Sequence, residues 1–342
     1  MGIMHRIARA RLASRVIRRL RRAGMSDVRY DARAFTVRFR PDGDDVPTVV
    51  PLEGLPLRGG RRERDAVVDG FLRAPGPPDQ WEQVRPLLRP VLRGSVPTTD
   101  ISAPLRRAVL PFLAEYVVVD QPDTMTYVAQ EQVRRWGATD AEVFDTARAN
   151  LTGAVLHGVA SGQVVVQFID DGDAYWTSHL LLDGWLARLA DQVGGRPVAF
   201  APERGTLLVT ADGGAHLAAL FHQAEQAFLR SPRAISPMAY VSGESGRTVP
   251  YAVPPDHPLH DCIRRARALL QVHEYTRQAQ TLADAAPIWV VDGLRTRTEH
   301  APGRLLPEAD DVLVDGAVRR WDEFATTPVP GLQPPRWRRA GE

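Results

Sequence analysis

RPVAFAPERGTLLVTAD, residues 196–212, reads as two short apolar strands joined by a tight turn at Pro202-Glu203-Arg204-Gly205. Strands joined by so short a turn pair antiparallel, because a parallel pair needs a crossover of a dozen residues or more. The same pattern recurs outward from this stretch. YVVVDQPDTMTYV, from residue 116, is a strand, a turn and a returning strand. Residues 28–50 alternate apolar and polar around a turn at Pro41-Asp42-Gly43, and residues 235–253 form a further hairpin around SGESGR. Helical stretches interrupt these hairpins at irregular intervals. The order predicts an α+β fold, with mixed or antiparallel sheets and packed helices in two lobes, rather than a doubly wound parallel sheet.

The helical stretches have their own signatures. MHRIARARLASRVIRRLRRA, residues 4–23, is a basic amphipathic helix. At about 100° per residue, Leu12, Ala13, Val16, Ile17 and Leu20 share one arc, and Arg11, Arg15, Arg18, Arg19 and Arg22 share the opposite one. Further helices are expected near 63–73 and from Trp81 to Leu88. Thr139-Asp140-Ala141-Glu142 is a capping box opening a helix through about Leu151, with Val143, Phe144, Ala147 and Leu151 as its buried stripe. GQVVVQFI, residues 162–169, is a continuous apolar strand, buried on both faces or protected at an edge. Leu182, Trp185, Leu186 and Leu189 mark the core face of the next helix. Helices over 214–230 and about 258–283 follow, then a strand pair at 287–300 and 305–314. The last 15 residues, with four prolines, read as a loose tail. The organisation expected is an N-terminal helix, meander and helices over 1–100, a core over 101–253, an extension over 254–327 and the tail over 328–342.

Composition excludes several classes of chemistry. The chain holds 342 residues, 44% hydrophobic and 25% charged, as in ordinary soluble globular proteins. No apolar run approaches the roughly 20 residues that span a bilayer. The arginine-rich N-terminus lacks the apolar segment of a secretory signal, so a cytoplasmic location is expected. Cys262 is the single cysteine, which excludes an intrachain disulfide and any multi-cysteine metal site. Lysine is absent, so all 43 basic residues are arginine. That removes the phosphate-binding GxxxxGK[ST] loop and any lysine Schiff base.

Residues 116–151 run YVVVDQPDTMTYV, RRWG and ARANL in order, and residues 175–212 run YWTSHLLLDGWLARL and VGGRPVAFAPERGTLLVTAD. This succession of a strand, D-x-P, W-G, A-x-x-N-L, an acidic turn, S-x-L-L-L and P-x-R-x-x-L-L-V resembles the YtpQ-like family of bacterial proteins, a domain of unknown function. The resemblance covers roughly residues 100–253, fits residues before it more loosely, and leaves the segment from 254 as an extension. Relatives carry an acid after the arginine of the P-x-R turn, where this chain has Gly205. The resemblance implies a cytoplasmic bacterial protein of α+β type. It brings no activity, cofactor or catalytic residue.

Three constellations are candidates for function. Asp170, Asp171 and Asp173 follow the 162–169 strand, where clustered carboxylates suit a hard cation such as Mg²⁺. The simpler reading is a turn at Gly172 whose acids solvate it and cap the following helix. Arg204 stands on a tight turn, and an arginine fork suits carboxylate or phosphate. The first helix carries eight arginines before the first acid, Asp27, while the whole chain has a net charge of +2, so the remainder is net acidic. Such asymmetry points Arg11, Arg15, Arg18 and Arg22 toward nucleic acid, an anionic membrane surface or an acidic partner. The alternative is that the apolar arc docks on the domain and the arginines merely solvate its outer side.

Other apparent motifs read as structure. Asp256-His257-Pro258-Leu259-His260-Asp261-Cys262 contains metal-ligand types, but it also fits a helix start with Pro258 in the first turn and Asp256 or His257 as cap. His216 and His222 do not have the i, i+4 spacing of a zinc hydrolase. Gly243-Glu244-Ser245-Gly246 fails the G-x-S-x-G pattern, since Arg247 stands where the last glycine belongs. The function expected is therefore a non-enzymatic binding or adaptor module with no cofactor. The rival is a metal-assisted phosphoester hydrolase, using the 170–173 acids with Arg204 and Mg²⁺.

Overall fold

The structure, a computed structural model, describes residues 3–22, 25–33, 35–40, 48–52, 77–97, 104–121, 124–151, 159–162, 164–169 and 175–341. The Pro41-Asp42-Gly43 turn, the helix expected near 63–73 and the acids Asp170, Asp171 and Asp173 lie outside these residues. The fold is α+β. The chain forms two compact units that interleave in sequence: Met1–Val91 with Thr99–Arg107 and Tyr116–Thr152, and Leu92–Thr98 with Ala108–Glu115 and Gly153–Glu342.

The chain opens with helix α1 (Ile3–Arg22) and strands β1 (Ser26–Asp31), β2 (Thr36–Arg40) and β3 (Thr48–Pro51). Helix α2 (Trp81–Val84) runs through a 3₁₀ turn into β4 (Leu88–Gly94), followed by β5 (Arg106–Leu110), β6 (Leu113–Gln121) and β7 (Thr124–Tyr127). Helices α3 (Gln130–Trp136) and α4 (Asp140–Asn150) follow. The strands make one sheet in the order β1-β2-β3-β7-β6-β4, with β5 also paired to β6. Helix α1 packs on β1 and β2, its apolar arc against Val28, Phe35, Val37, Phe39 and Leu52. Helix α4 has its capping box: Thr139 Oγ1 accepts the Glu142 N–H at 3.2 Å, and Glu142 Oε2 accepts the Thr139 N–H at 2.7 Å. Val143, Phe144 and Ala147 are fully buried, as the stripe required.

The second unit adds β8 (Val165–Ile169), helix α5 (Ala190–Val193), β9 (Pro197–Glu203) and β10 (Thr206–Ala211). Then come α6 (Leu217–Arg230), β11 (Ala239–Ser242), β12 (Thr248–Pro250) and the long α7 (His260–Ala279). Strands β8 to β12 form a five-stranded sheet in the order β12-β11-β9-β10-β8. Its described pairs are all antiparallel, so the hairpin at 196–212 does decide the sheet type. Helix α6 covers β9, with the Phe200 and Phe221 rings meeting edge to face at 5.0 Å. Beyond α7 lie β13 (Ile288–Val291), β14 (Arg295–Glu299), β15 (Leu306–Pro307), β16 (Asp311–Val314), β17 (Ala317–Arg320), β18 (Thr326–Val329) and β19 (Arg336–Arg339). They make a sheet β13-β14-β16-β17, in which β14 and β16 run parallel, and a second sheet β15-β19-β18.

Four expectations from sequence are corrected. The 162–169 strand is not buried on both faces: among the described residues β8 ends its sheet, and Val165 and Ile169 are exposed at 39% and 67%. Residues 176–193 are not one helix but two 3₁₀ turns and the short α5. Gly184 causes the break, with φ +71 and an N–H that donates to the Gly246 carbonyl at 2.8 Å. The stretch 287–300 is a hairpin, turning at left-handed Asp292 and Gly293. Residues 336–339 are a strand, not a loose tail: Trp337 pairs with Leu306 on one side and Pro328 on the other.

Candidate functional site

Helix α1 divides sharply into two faces. Leu12, Ala13, Val16 and Leu20 are each 3% exposed or less. Burying such side chains stabilises by roughly 1.5–3 kcal/mol each for the larger ones, which fixes the helix's rotation about its axis. Arg11, Arg15, Arg18 and Arg22 are thereby turned to solvent, and all four are exposed. Their spacing of four, three and four residues draws a stripe about 16 Å long at 1.5 Å per residue.

Several other described charges near α1 are already engaged. Arg9 lies 3.9 Å over the Phe35 ring, and Arg21 donates to the Val28 carbonyl at 3.5 Å. Asp27, the first acid, is held by Arg38 at 2.8 Å and Arg29 at 3.0 Å. It therefore does little to offset the stripe. Among the described residues Arg11, Arg15, Arg18 and Arg22 form no ion pair; Arg18 Nε donates to the Ser14 carbonyl at 3.2 Å. Arg22 sits in the last turn, where a cation also complements the helix dipole. That account does not extend to Arg11 and Arg15 in the middle of the helix.

Arg204 occupies a two-residue turn between β9 and β10 and is half-buried. Glu203 Oε1 accepts from the Gly205 N–H at 3.1 Å and from Thr206 Oγ1 at 2.6 Å, and Arg204 N–H donates to the Arg233 carbonyl at 3.1 Å. A Cβ at Gly205 would lie 3.2 Å from Glu203 Oε1. An acid there would press its charge toward the same carboxylate. Ile169, which immediately precedes Asp170, pairs with Thr206 beside this turn.

The remaining candidates are structural. Among the described residues no three His, Cys, Asp or Glu side chains are grouped to hold a metal. His257 Nδ1 accepts the Leu259 N–H at 3.1 Å and so shapes the approach to α7, which begins at His260 rather than at Pro258. His222 is exposed, while Glu225 is bound to Arg265. Ser245 lies in the β11–β12 hairpin loop.

Several polar groups were not visible in the sequence. Glu274 is 1% exposed; it accepts from the Val96 N–H at 2.9 Å and pairs with Arg277 Nη1 at 2.5 Å, yet burial raises its pKa. Arg336 is fully buried, and desolvation lowers its pKa to about 10. His179 lies between Trp176 and Trp185, with ring centroids 5.1 and 4.8 Å away, as a buried core histidine. A cleft of about 230 Å³ is lined by Arg264, Arg267 and Gln271 of α7 and by Thr296, Glu308 and Asp310. Each of these residues reads as a solvated side chain in a helix or loop until long-range packing places it.

No family model, curated protein or solved structure matches the chain. Among the described residues no helix is long and apolar enough to cross a membrane.

Proposed function

We propose that this chain is a non-catalytic binding module, cytoplasmic in location, whose contact surface is the arginine face of α1 and whose partner is a polyanion or an acidic protein surface. One observation carries the reading: the apolar arc of α1 lies in the core while Arg11, Arg15, Arg18 and Arg22 face solvent without an ion pair among the described residues. The lack of lysine and of a cysteine pair supports it by removing common catalytic devices. The order of the W-G, A-x-x-N-L and S-x-L-L-L motifs supports placing the chain with the YtpQ-like proteins. On this reading those motifs are scaffold. Trp136 Nε1 donates to the Pro78 carbonyl at 3.1 Å, and Gly137 ends α3 with φ +67. Ser178 Oγ accepts the Leu92 N–H at 3.3 Å.

Retention on immobilised heparin tests the reading. The wild type is held at low salt, and the variant with Arg11, Arg15, Arg18 and Arg22 changed to Gln, which keeps good helix formers in place, elutes at clearly lower salt. Equal elution of the two folded proteins would sink the proposal.

A second reading, a Mg²⁺-assisted hydrolase using Asp170, Asp171, Asp173 and Arg204, has one supporting observation: Ile169 pairs with Thr206 next to the Arg204 turn. It requires Mg²⁺ or Mn²⁺ to raise the melting temperature by mass action and Asp171→Ala to abolish that rise. No shift at millimolar metal eliminates it.

A further inference from the structure

We infer that the arginine face of α1 is shaped for the phosphate backbone of nucleic acid, read without regard to base sequence; this rests on the binding role proposed above and narrows its partner. A helix that adsorbs to a bilayer lays its apolar face into the acyl boundary, helped by Trp, Phe or Leu. In α1 that face is unavailable, because Leu12, Ala13, Val16 and Leu20 are enclosed with Phe35, Val37 and Phe39. The outward residues between the arginines are Ala10 and Ser14, both exposed, and the Ser14 hydroxyl donates to the Ala10 carbonyl at 2.9 Å. Among the residues of α1 whose side chains are described, from Ala8 to Arg22, the exposed positions carry no apolar side chain larger than that of Ala10.

The stripe suits a linear array of phosphates better than a single anion. Neighbouring members three or four residues apart lie roughly 5–6 Å from one another along the helix, so several phosphates can be met at once. Arginine's planar fork matches phosphate geometry bidentately and is weakly hydrated. The helix has no Asn or Gln to read adenine edges, and a guanidinium engaged by phosphate is not free to fork a guanine edge. Phosphate contacts alone fix position and carry no sequence information. An acidic protein would be met by the same charges, but a charge repeated at each helical turn has its natural complement in a repeating polyanion.

The test measures fluorescence anisotropy with two labelled duplexes of unrelated sequence across a salt series, beside co-sedimentation with phosphatidylserine vesicles. Both duplexes should bind equally. Affinity should fall steeply with salt, and replacing the four arginines by Gln should lower the slope of log K against log salt by about 3 to 4. The double variants Arg11→Gln/Arg15→Gln and Arg18→Gln/Arg22→Gln should each lower it by about half as much, which keeps the test sharp if the fourfold variant unfolds. Retention on heparin without binding of either duplex overturns this inference while leaving the binding role intact. Loss of both overturns the binding role as well. Vesicle binding that matches or exceeds duplex binding would replace nucleic acid by membrane, and an unchanged salt slope in all variants would place the contact elsewhere.

Discussion

Arg265 on α7 grips Glu225 on α6 with Nε and Nη2, each 2.7 Å from a carboxylate oxygen. This two-point fork is the stronger form of ion pair, and it holds the Glu225 pKa below its ordinary value, chiefly through the hydrogen bonds from Arg265. Arg265 is 45% exposed, so solvent screening reduces the gain. Arg265→Ala should cost about 0.5–1 kcal/mol. Because the folded-state pKa is depressed, the contribution is present above the unfolded value and is lost as pH falls through the folded one. Urea denaturation should therefore show the gap between wild type and Glu225→Gln closing as pH drops below about 4.

Glu274 titrates with the opposite sign. Its carboxylate faces the Val96 N–H, Ser95, Arg277 and His273, whose Nε2 is 3.8 Å away, but desolvation outweighs these partners and raises its pKa. A raised folded-state value means that its contribution is full below the unfolded pKa and declines as pH rises through the folded one. Glu274→Gln keeps an acceptor for Val96 and cannot ionise. Its stability relative to wild type should improve as pH climbs from about 4 to about 6, below the range where histidine titration confuses the comparison. A gap that stays constant over that interval would contradict the assignment.

Arg336 donates to Gln278 Oε1 at 2.6 Å and to the carbonyls of Leu305, Ala286 and Tyr275 at 2.7, 3.1 and 3.1 Å. Arg336→Met leaves several buried acceptors unsatisfied, each at about 1–3 kcal/mol. A loss of about 3 kcal/mol or more is expected in the denaturation midpoint, with early proteolysis of the C-terminal strands. A variant as stable and as protease-resistant as wild type would mean that this contact network contributes little.

Asn150 closes α4 by donating through Nδ2 to the carbonyls of Arg85 and Leu88 at 2.6 and 3.0 Å. Asn150→Ala should destabilise by about 1–2 kcal/mol and leave retention on heparin unchanged. A fall in retention with stability preserved would give this motif residue a functional role that the present account denies it.

The parts of the fold legible in sequence are those set by local chemistry. Thr139 and Glu142 satisfy each other across one helical turn, and the apolar arc of α1 needs only the helical period to be seen. Legibility fails where distant groups decide. The leucine spacing of 182–189 suggests a helix, but Gly184 breaks it with a hydrogen bond to Gly246. Four prolines made 328–342 look loose, yet Arg336 is drawn in by acceptors some 31 to 61 residues away in sequence. Asp315-Gly316 turns a two-residue hairpin between Val314 and Ala317 with both φ values positive. That Asp-Gly signal is local, but the apolar pattern alone does not reveal it. At the candidate site, exposure of the α1 arginines follows from periodicity, whereas the pairing of Asp27 with Arg38 depends on how β1 and β2 fold back.

Arginine-selective chemical modification, mapped residue by residue with and without heparin, tests the central claim most directly. Arg11, Arg15, Arg18 and Arg22 should become protected, while the exposed Arg188, Arg319 and Arg338 should react as before. Protection concentrated on those three, or no protection on α1 under conditions where heparin is bound, would contradict the assignment of α1 as the binding face.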